Sequence, residues 1–226
     1  MIVAAVPVKD LVNAKQRLMP ILGPDERRDL ARAMLRDVLR ALAAARFDLV
    51  WVVTRDADVA AIARTLGADV LTEEVNRGHT AAVALAQHEA RRRGAGVFVT
   101  VPGDVPCATA GELEALARAA TARTPIAVLT PSRTGRGTNG VALAPPDAMP
   151  LTFGEPSFEN HLALARRLHL VPHVLPMPGL GLDIDGAEDL DALAAEGGAT
   201  ESGRLLATWN VTARTAMTAD VWKGTG

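Results

Sequence analysis

Short runs of β-branched and apolar residues alternate along this chain with longer stretches in which apolar positions recur every three to four residues. The run at 2–6 predicts a first strand. After a polar connection, Pro24 opens a helix with Asp25 and Glu26 in its first turn, where proline fits and negative charge suits the helix dipole. Leu30, Met34, Val38 and Leu42 fall four apart and form one stripe for burial. The run 49–54 (LVWVVT) is too continuously apolar to leave a wet face, so it predicts a buried parallel strand. A helix over 57–66 closed by Gly67, a strand at 69–72, a helix over 81–93 ended by Gly94 and a strand at 97–101 follow. The pattern then predicts a helix over 111–123, a strand at 126–130 and a reversed strand at 140–143. A helix over 158–168, an edge strand at 171–175 and a helix over 187–195 complete it.

That alternation defines an α/β fold: a mostly parallel central sheet with helices on both faces, which buries every stripe named. One domain over 1–196 is the economical reading. From Gly197 onward apolar residues stand singly among Thr, Gly and Ala, so a loosely packed, partly disordered tail is expected over 197–226. Composition narrows the function classes. The 226 residues carry 24 basic and 26 acidic side chains, a formal charge of -2, which argues against nucleic-acid binding. Four Phe, three Trp and no Tyr leave few platforms for stacked bases. No uncharged apolar run approaches the roughly 18 residues of a membrane span, and the amino end lacks the basic stretch and cleavage site of a leader. Cys107 is the single cysteine, so no internal disulfide forms and the cytoplasm is the expected location. Oligomeric state is not fixed by the sequence, and a homodimer is compatible with it.

Open parallel sheets bind ligands beyond the carboxyl ends of their strands. Three segments fall there. The first, PVKDLVNAKQRL, brings Lys9, Lys15 and Arg17 into one loop that has no glycine and so is no phosphate-binding glycine loop. Its cations suit a polyphosphate, and on charge alone a solvated basic loop is the commoner reading. The second places Asp104 after Gly103 between Pro102 and Pro106; its carboxylate either enters the crevice or caps the next helix. The third, LGLDIDGAEDL, holds Asp183 and Asp185 two apart, so an extended backbone puts both on one face with Ile184 opposite. Paired carboxylates without thiolates or paired histidines suit Mg2+, with Mn2+ as second choice. The competing reading makes Asp185 the cap of the helix that follows.

A fourth stretch, SRTGRGTNG, joins Arg133, Arg136, Thr138 and Asn139 to three glycines. With Gly154 and Ser157 nearby, it offers amide clusters for an anion, or else a flexible surface loop. The five histidines show no metal-ligand spacing, and Ser157 lacks the surroundings of a hydrolase nucleophile. Cys107 reads as a small packing residue. A phosphorylated substrate with a metal-bound nucleotide fits these residues. A sugar-nucleotide transferase and a silent nucleotide-binding regulatory subunit remain the alternatives.

Several motifs in register from Ile2 to about Leu193 carry a specific resemblance: VPVKDLVNAKQRL, LARAMLRDVLRAL, PGDVP, GRGTNGVAL, FGEPSFENH and LDIDGAEDL. The chain resembles the 2-phospho-L-lactate and phosphoenolpyruvate guanylyltransferases of coenzyme F-420 biosynthesis. That resemblance implies a Rossmann-like nucleotidyltransferase fold. It also implies transfer of GMP from GTP to phosphoenolpyruvate, 2-phospho-L-lactate or 3-phospho-D-glycerate, with release of pyrophosphate. By position, it assigns Lys9, Lys15 and Arg17 to the GTP phosphates, with Lys15, Arg17 and Asp104 in catalysis. Gly78 and Thr80 fall to the nucleotide, Asp104, Asp183 and Asp185 to magnesium, and Thr138, Gly154 and Ser157 to the acid. One departure stands out: Gly78, His79 and Thr80 occupy the place where relatives tend to show Gly-Leu-Asn.

Overall fold

The computed structural model describes residues 1–11, 14–73, 75 and 77–215. Seven strands form one sheet: β1 (Ile2–Pro7), β2 (Leu49–Thr54), β3 (Asp69–Thr72), β4 (Val97–Thr100), β5 (Ile126–Pro131), β6 (Thr138–Ala144) and β7 (His173–Val174). Their order is β3-β2-β1-β4-β6-β5-β7. Every pairing is parallel except those of β6, which runs against both β4 and β5. The helices are α1 (Pro24–Ala44), α2 (Ala57–Thr65), α3 (His79–Arg92), α4 (Ala110–Thr121), α5 (Ser157–Arg167), α6 (Ala187–Glu196) and α7 (Glu201–Thr208). None is long and apolar enough to cross a membrane among the described residues.

Strand alternation sorts the core into two layers. Ala4 and Val6 of β1 face Leu30, Met34, Val38 and Leu42 of α1, together with α2, α4, α6 and α7. Val3 and Ala5 face the other way, against Trp51, Phe98 and the Ala82, Val83, Ala86 and Ala90 face of α3. Both faces are dry, which is why LVWVVT and VFVT read as unbroken apolar runs.

After β1 the chain steps outward to β2 and β3. It then returns through α3 to place β4 on the opposite side of β1. Diverging connections at such a point open a crevice past the carboxyl ends of β1 and β4. The reversed β6 adds its amino end, Thr138 and Asn139, to the same rim. β6 starts two residues before the predicted strand, so Thr138 is held in the sheet rather than in the glycine-rich loop.

The expected loose tail is corrected over its described part. α7 packs on α1, burying Ser202, Gly203 and Leu206, and Val211 beyond it is buried too. The anchor is polar. Buried Asp37 of α1 accepts from the Glu201 N–H (2.8 Å), the Ser202 N–H (2.9 Å) and the Ser202 hydroxyl (2.7 Å). Arg36 and Arg40 add ion pairs to Glu201. Hydrophobic spacing gives no sign of such an attachment. The expectation for 216–226 lies outside the described residues. Asp37→Ala leaves three donors without their acceptor, and a loss of about 2 kcal/mol, or about 4–8 °C in Tm, is expected by calorimetry.

Candidate active site

Two cavities adjoin at the carboxyl ends of β1 and β4. The first, about 430 Å3, is lined by the 7–11 loop, Lys15, Gln16, Arg17, the Ala31, Met34 and Leu35 face of α1, and His79, Asp104 and Asp185. The second, about 520 Å3, is walled by Arg77, Gly78, Thr80, Thr138, Asn139, Phe153, Gly154, Ser157 and Asp183. Lys9, His79, Pro102, Asp104 and Asp185 belong to both. The eleven residues to which the resemblance gives a role therefore face one continuous crevice: Lys9, Lys15, Arg17, Gly78, Thr80, Asp104, Thr138, Gly154, Ser157, Asp183 and Asp185.

The helix-cap alternatives for the acids do not hold. Thr109 and Glu112 cap α4 reciprocally, which leaves Asp104 out of that role. At α6, Asp189 takes the N–H groups of Asp185 (2.9 Å) and Gly186 (2.7 Å), so the Asp185 carboxylate points elsewhere. The Ile184 N–H donates to the Asp104 carbonyl at 3.1 Å, stitching the two acidic segments side by side. Ile184 is fully buried while Asp183 and Asp185 both reach the second cavity, as alternation requires.

Lys15 sits in the left-handed backbone region at φ 55° and turns its ammonium inward. Its Nζ lies 2.5 Å from Asp104 Oδ2 and 2.9 Å from Asp185 Oδ1. Burial opposes the charge, but the two carboxylates outweigh it and push the ammonium up to about 12. Asp185 is held below the usual carboxylate range: burial works against this, and Lys15 and then Arg17 prevail. Arg17 is 76% exposed and 4.0 Å from Asp185, free to turn toward a ligand.

Asp183 has no basic neighbour at ion-pair distance among the described residues. Asn139 Nδ2 donates to it at 2.9 Å and to the Gly181 carbonyl at 3.1 Å. Burial, with Asp104 and Asp185 adding to it, raises the Asp183 carboxyl above its ordinary range. Three half-buried carboxylates thus lie near one another in the crevice. The donor set, carboxylate oxygens alone, suits a hard divalent ion. Among the described residues, however, no three such side chains already converge as a ready cradle. Lys15 stands between Asp104 and Asp185 where a shared cation belongs, so the trio is close but salt-bridged.

Two glycines are needed for their backbone. Gly78 caps α3 at φ 93°, ψ 175°, and Gly154 has φ 121°, conformations that residues with a Cβ rarely adopt. Gly78 lets α3 begin at His79, two residues before the predicted start. It thereby brings the His79 ring against Phe153, with centroids 4.4 Å apart, and Thr80 Oγ1 within 2.9 Å of the Phe153 N–H. Arg133 and Arg136, read from the sequence as anion binders, are turned away instead: they pair with Glu196 (2.7 Å) and Glu155 (3.1 Å) and line neither cavity.

Sequence reasoning gave no role to Phe153 or His161, and named Asn139 and His79 without the contacts they make. A solitary histidine or asparagine carries no spacing signal, and these matter only through what the fold lays beside them. Burial holds the imidazoles of both His79 and His161 down to about 4, against an ordinary 6.5. Between those values the unfolded chain binds more protons than the folded one. Their contribution to stability is therefore complete above pH 6.5 and is lost as pH falls toward 4. Tm is expected to drop through this window, with a shallower slope in His79→Leu; an unchanged slope contradicts the burial of that ring.

The fold defines the class: a Rossmann-like nucleotidyltransferase architecture. A protein from Desulfovibrio desulfuricans G20 assigned to the nucleotide-diphospho-sugar transferases superposes with a TM-score of 0.77 at 17% identity, covering 96% of this chain and 97% of that one. A nucleotidyl transferase from Methanothermobacter thermautotrophicus gives a TM-score of 0.63, also at 17% identity, over 92% and 99% of the two chains. The sequence narrows this further. The chain belongs to the family described as Guanylyl transferase CofC like, whose model matches residues 2–222. It is 42% identical to the phosphoenolpyruvate guanylyltransferase of Sphaerobacter thermophilus, over 85% of this chain and 92% of that protein. It is 36% identical to the 2-phospho-L-lactate guanylyltransferase of Methanothermobacter thermautotrophicus, over 90% and 88%.

Proposed function

We propose that the protein transfers GMP from GTP to the phosphate of a small phosphorylated acid, releasing pyrophosphate, as a cytoplasmic enzyme of coenzyme F-420 biosynthesis whose catalytic unit lies within 1–196. The observation that carries this reading is the division of one crevice. Lys15 and Arg17 line one cavity, Thr138, Gly154, Ser157 and Asp183 line the other with Arg77, and Lys9, Asp104 and Asp185 belong to both. GTP phosphates match the first cavity. A three-carbon phospho-acid, phosphoenolpyruvate or 2-phospho-L-lactate, matches the second.

The acid's phosphate is already largely dianionic at neutral pH, its second pKa being about 6, so its oxygen attacks without losing a proton. A bond forms between that oxygen and the α-phosphorus as the α-phosphorus to pyrophosphate oxygen bond breaks. No general base is required. The difficulty is to bring two anions into line. Lys9 and Arg17 neutralise and orient the triphosphate, and Lys15 joins them by leaving its aspartates. Gly78 and Thr80 shape the edge beside the nucleotide. Asp104, Asp183 and Asp185 would hold a divalent ion, which supplies neutralisation of phosphate charge when bound.

The test is incubation of purified protein with GTP, Mg2+ and each acid in turn, with products weighed by mass spectrometry. A GMP adduct of one acid and stoichiometric pyrophosphate are expected. Absence of both with every acid contradicts the assignment.

A further inference from the structure

His161 of α5 is fully buried behind the acid wall of the crevice. Its Nε2 lies 3.1 Å from the Thr152 backbone nitrogen, and its Nδ1 lies 3.0 Å from Thr138 Oγ1. A backbone N–H can only donate, so Nε2 must keep its lone pair and the proton of the neutral ring sits on Nδ1. Nδ1–H therefore donates to Thr138 Oγ1. The Ser157 hydroxyl donates to the same oxygen at 3.3 Å. A hydroxyl oxygen has two lone pairs, and both are now taken. The hydrogen of Thr138 has no acceptor among the described residues and is left for whatever occupies the cavity that Thr138 lines.

We infer that His161 is a positioning residue that locks the Thr138 hydroxyl as a one-way hydrogen-bond donor, so that this wall accepts anionic or carbonyl oxygens and refuses groups that must themselves donate. The inference rests on the reading above, in which Thr138 faces the phosphorylated acid. It extends that reading from a contact to a direction. An unconstrained threonine could donate or accept and would discriminate little between the two kinds of ligand atom. Held by its two neighbours, it leaves a wrongly matched ligand with an unpaired buried donor, a penalty larger than the net value of the bond itself.

Two substitutions separate the halves of the relay. His161→Asn places an amide at the level of Nδ1 and keeps a donor for Thr138 while giving up Thr152. His161→Gln places its amide at the level of Nε2, keeping an acceptor for Thr152 while giving up Thr138. With phosphoenolpyruvate and 2-phospho-L-lactate as probes, His161→Gln is expected to raise the acid KM about tenfold, and His161→Asn by no more than about threefold. The KM for GTP is expected to stay unchanged in both. Equal acid KM values in the two variants, or matching changes in the GTP KM, overturn the inference, because a purely structural role predicts them.

If either variant fails to fold, nitrogen-15 NMR of the wild-type ring decides the matter alone. A proton on Nδ1 that persists from pH 8 to pH 6 is expected, and a proton on Nε2 overturns the relay. Should the wild-type protein join GMP to neither acid, the functional reading fails, while the ring proton still decides the relay.

Discussion

Asp183→Asn is expected to abolish turnover, lowering kcat by at least about 1000-fold, while leaving Tm unchanged or raised. The opposite signs come from the same cause. Asp183 carries a half-buried negative charge that accepts from the Asn139 amide and from a backbone N–H, beside two further carboxylates that raise its proton affinity. Removing that charge relieves the folded protein of a desolvation cost and of repulsion. An asparagine carbonyl still accepts the Asn139 N–H. What it cannot do is contribute a full negative charge to a divalent ion and the phosphates around it. Loss of activity accompanied by a large fall in Tm would falsify this account, since it would make Asp183 a structural acid.

Lys15→Gln should combine both kinds of loss. The ammonium is the shared partner of Asp104 and Asp185, and without it the two acids face each other across the crevice. Asp185 is 49% exposed, so the destabilisation is expected to be roughly 2 kcal/mol, below the 3–5 that follows when both partners are dry. The kinetic loss is larger: kcat/KM for GTP should fall roughly 100-fold or more, because a charged contact to the triphosphate and its orientation go together. In the nucleotide-free protein the effect on metal reverses. Vacating the space between Asp104 and Asp185 should tighten Mn2+ binding, which titration calorimetry reads directly. Weaker Mn2+ binding in Lys15→Gln contradicts the view that the ammonium holds the place of a cation until GTP arrives.

Much of the fold was legible because the sheet is dry on both sides. LVWVVT, VFVT and IAVLT could not sit with a wet face, and the α1 stripe at Leu30, Met34, Val38 and Leu42 could only turn inward. The acids were legible for a related reason. Asp104, Asp183 and Asp185 follow or flank apolar segments whose direction the core dictates, so alternation alone placed two of them on one face. What the chain did not disclose depends on polar complementarity between distant segments. α7 is held by Asp37, 164 and 165 residues away from the groups it binds. Asp189, not Asp185, caps α6, and that choice decides whether Asp185 is available at all. Arg133 and Arg136 sat in a stretch that looked made for anions, yet Glu196 and Glu155 claim them on the surface. His161 gave no signal, since its meaning lies in Thr138 and Thr152, which the sheet and a loop deliver to its two nitrogens.

Electron paramagnetic resonance of Mn2+ titrated into the protein with GTP present addresses the aspartate trio without waiting for turnover. Wild-type protein is expected to bind the ion tightly alongside the nucleotide, and Asp183→Asn to bind it about 100-fold more weakly, with its fold intact. Equal Mn2+ affinity in the two proteins would mean that Asp183 does not hold the ion, and would contradict the account.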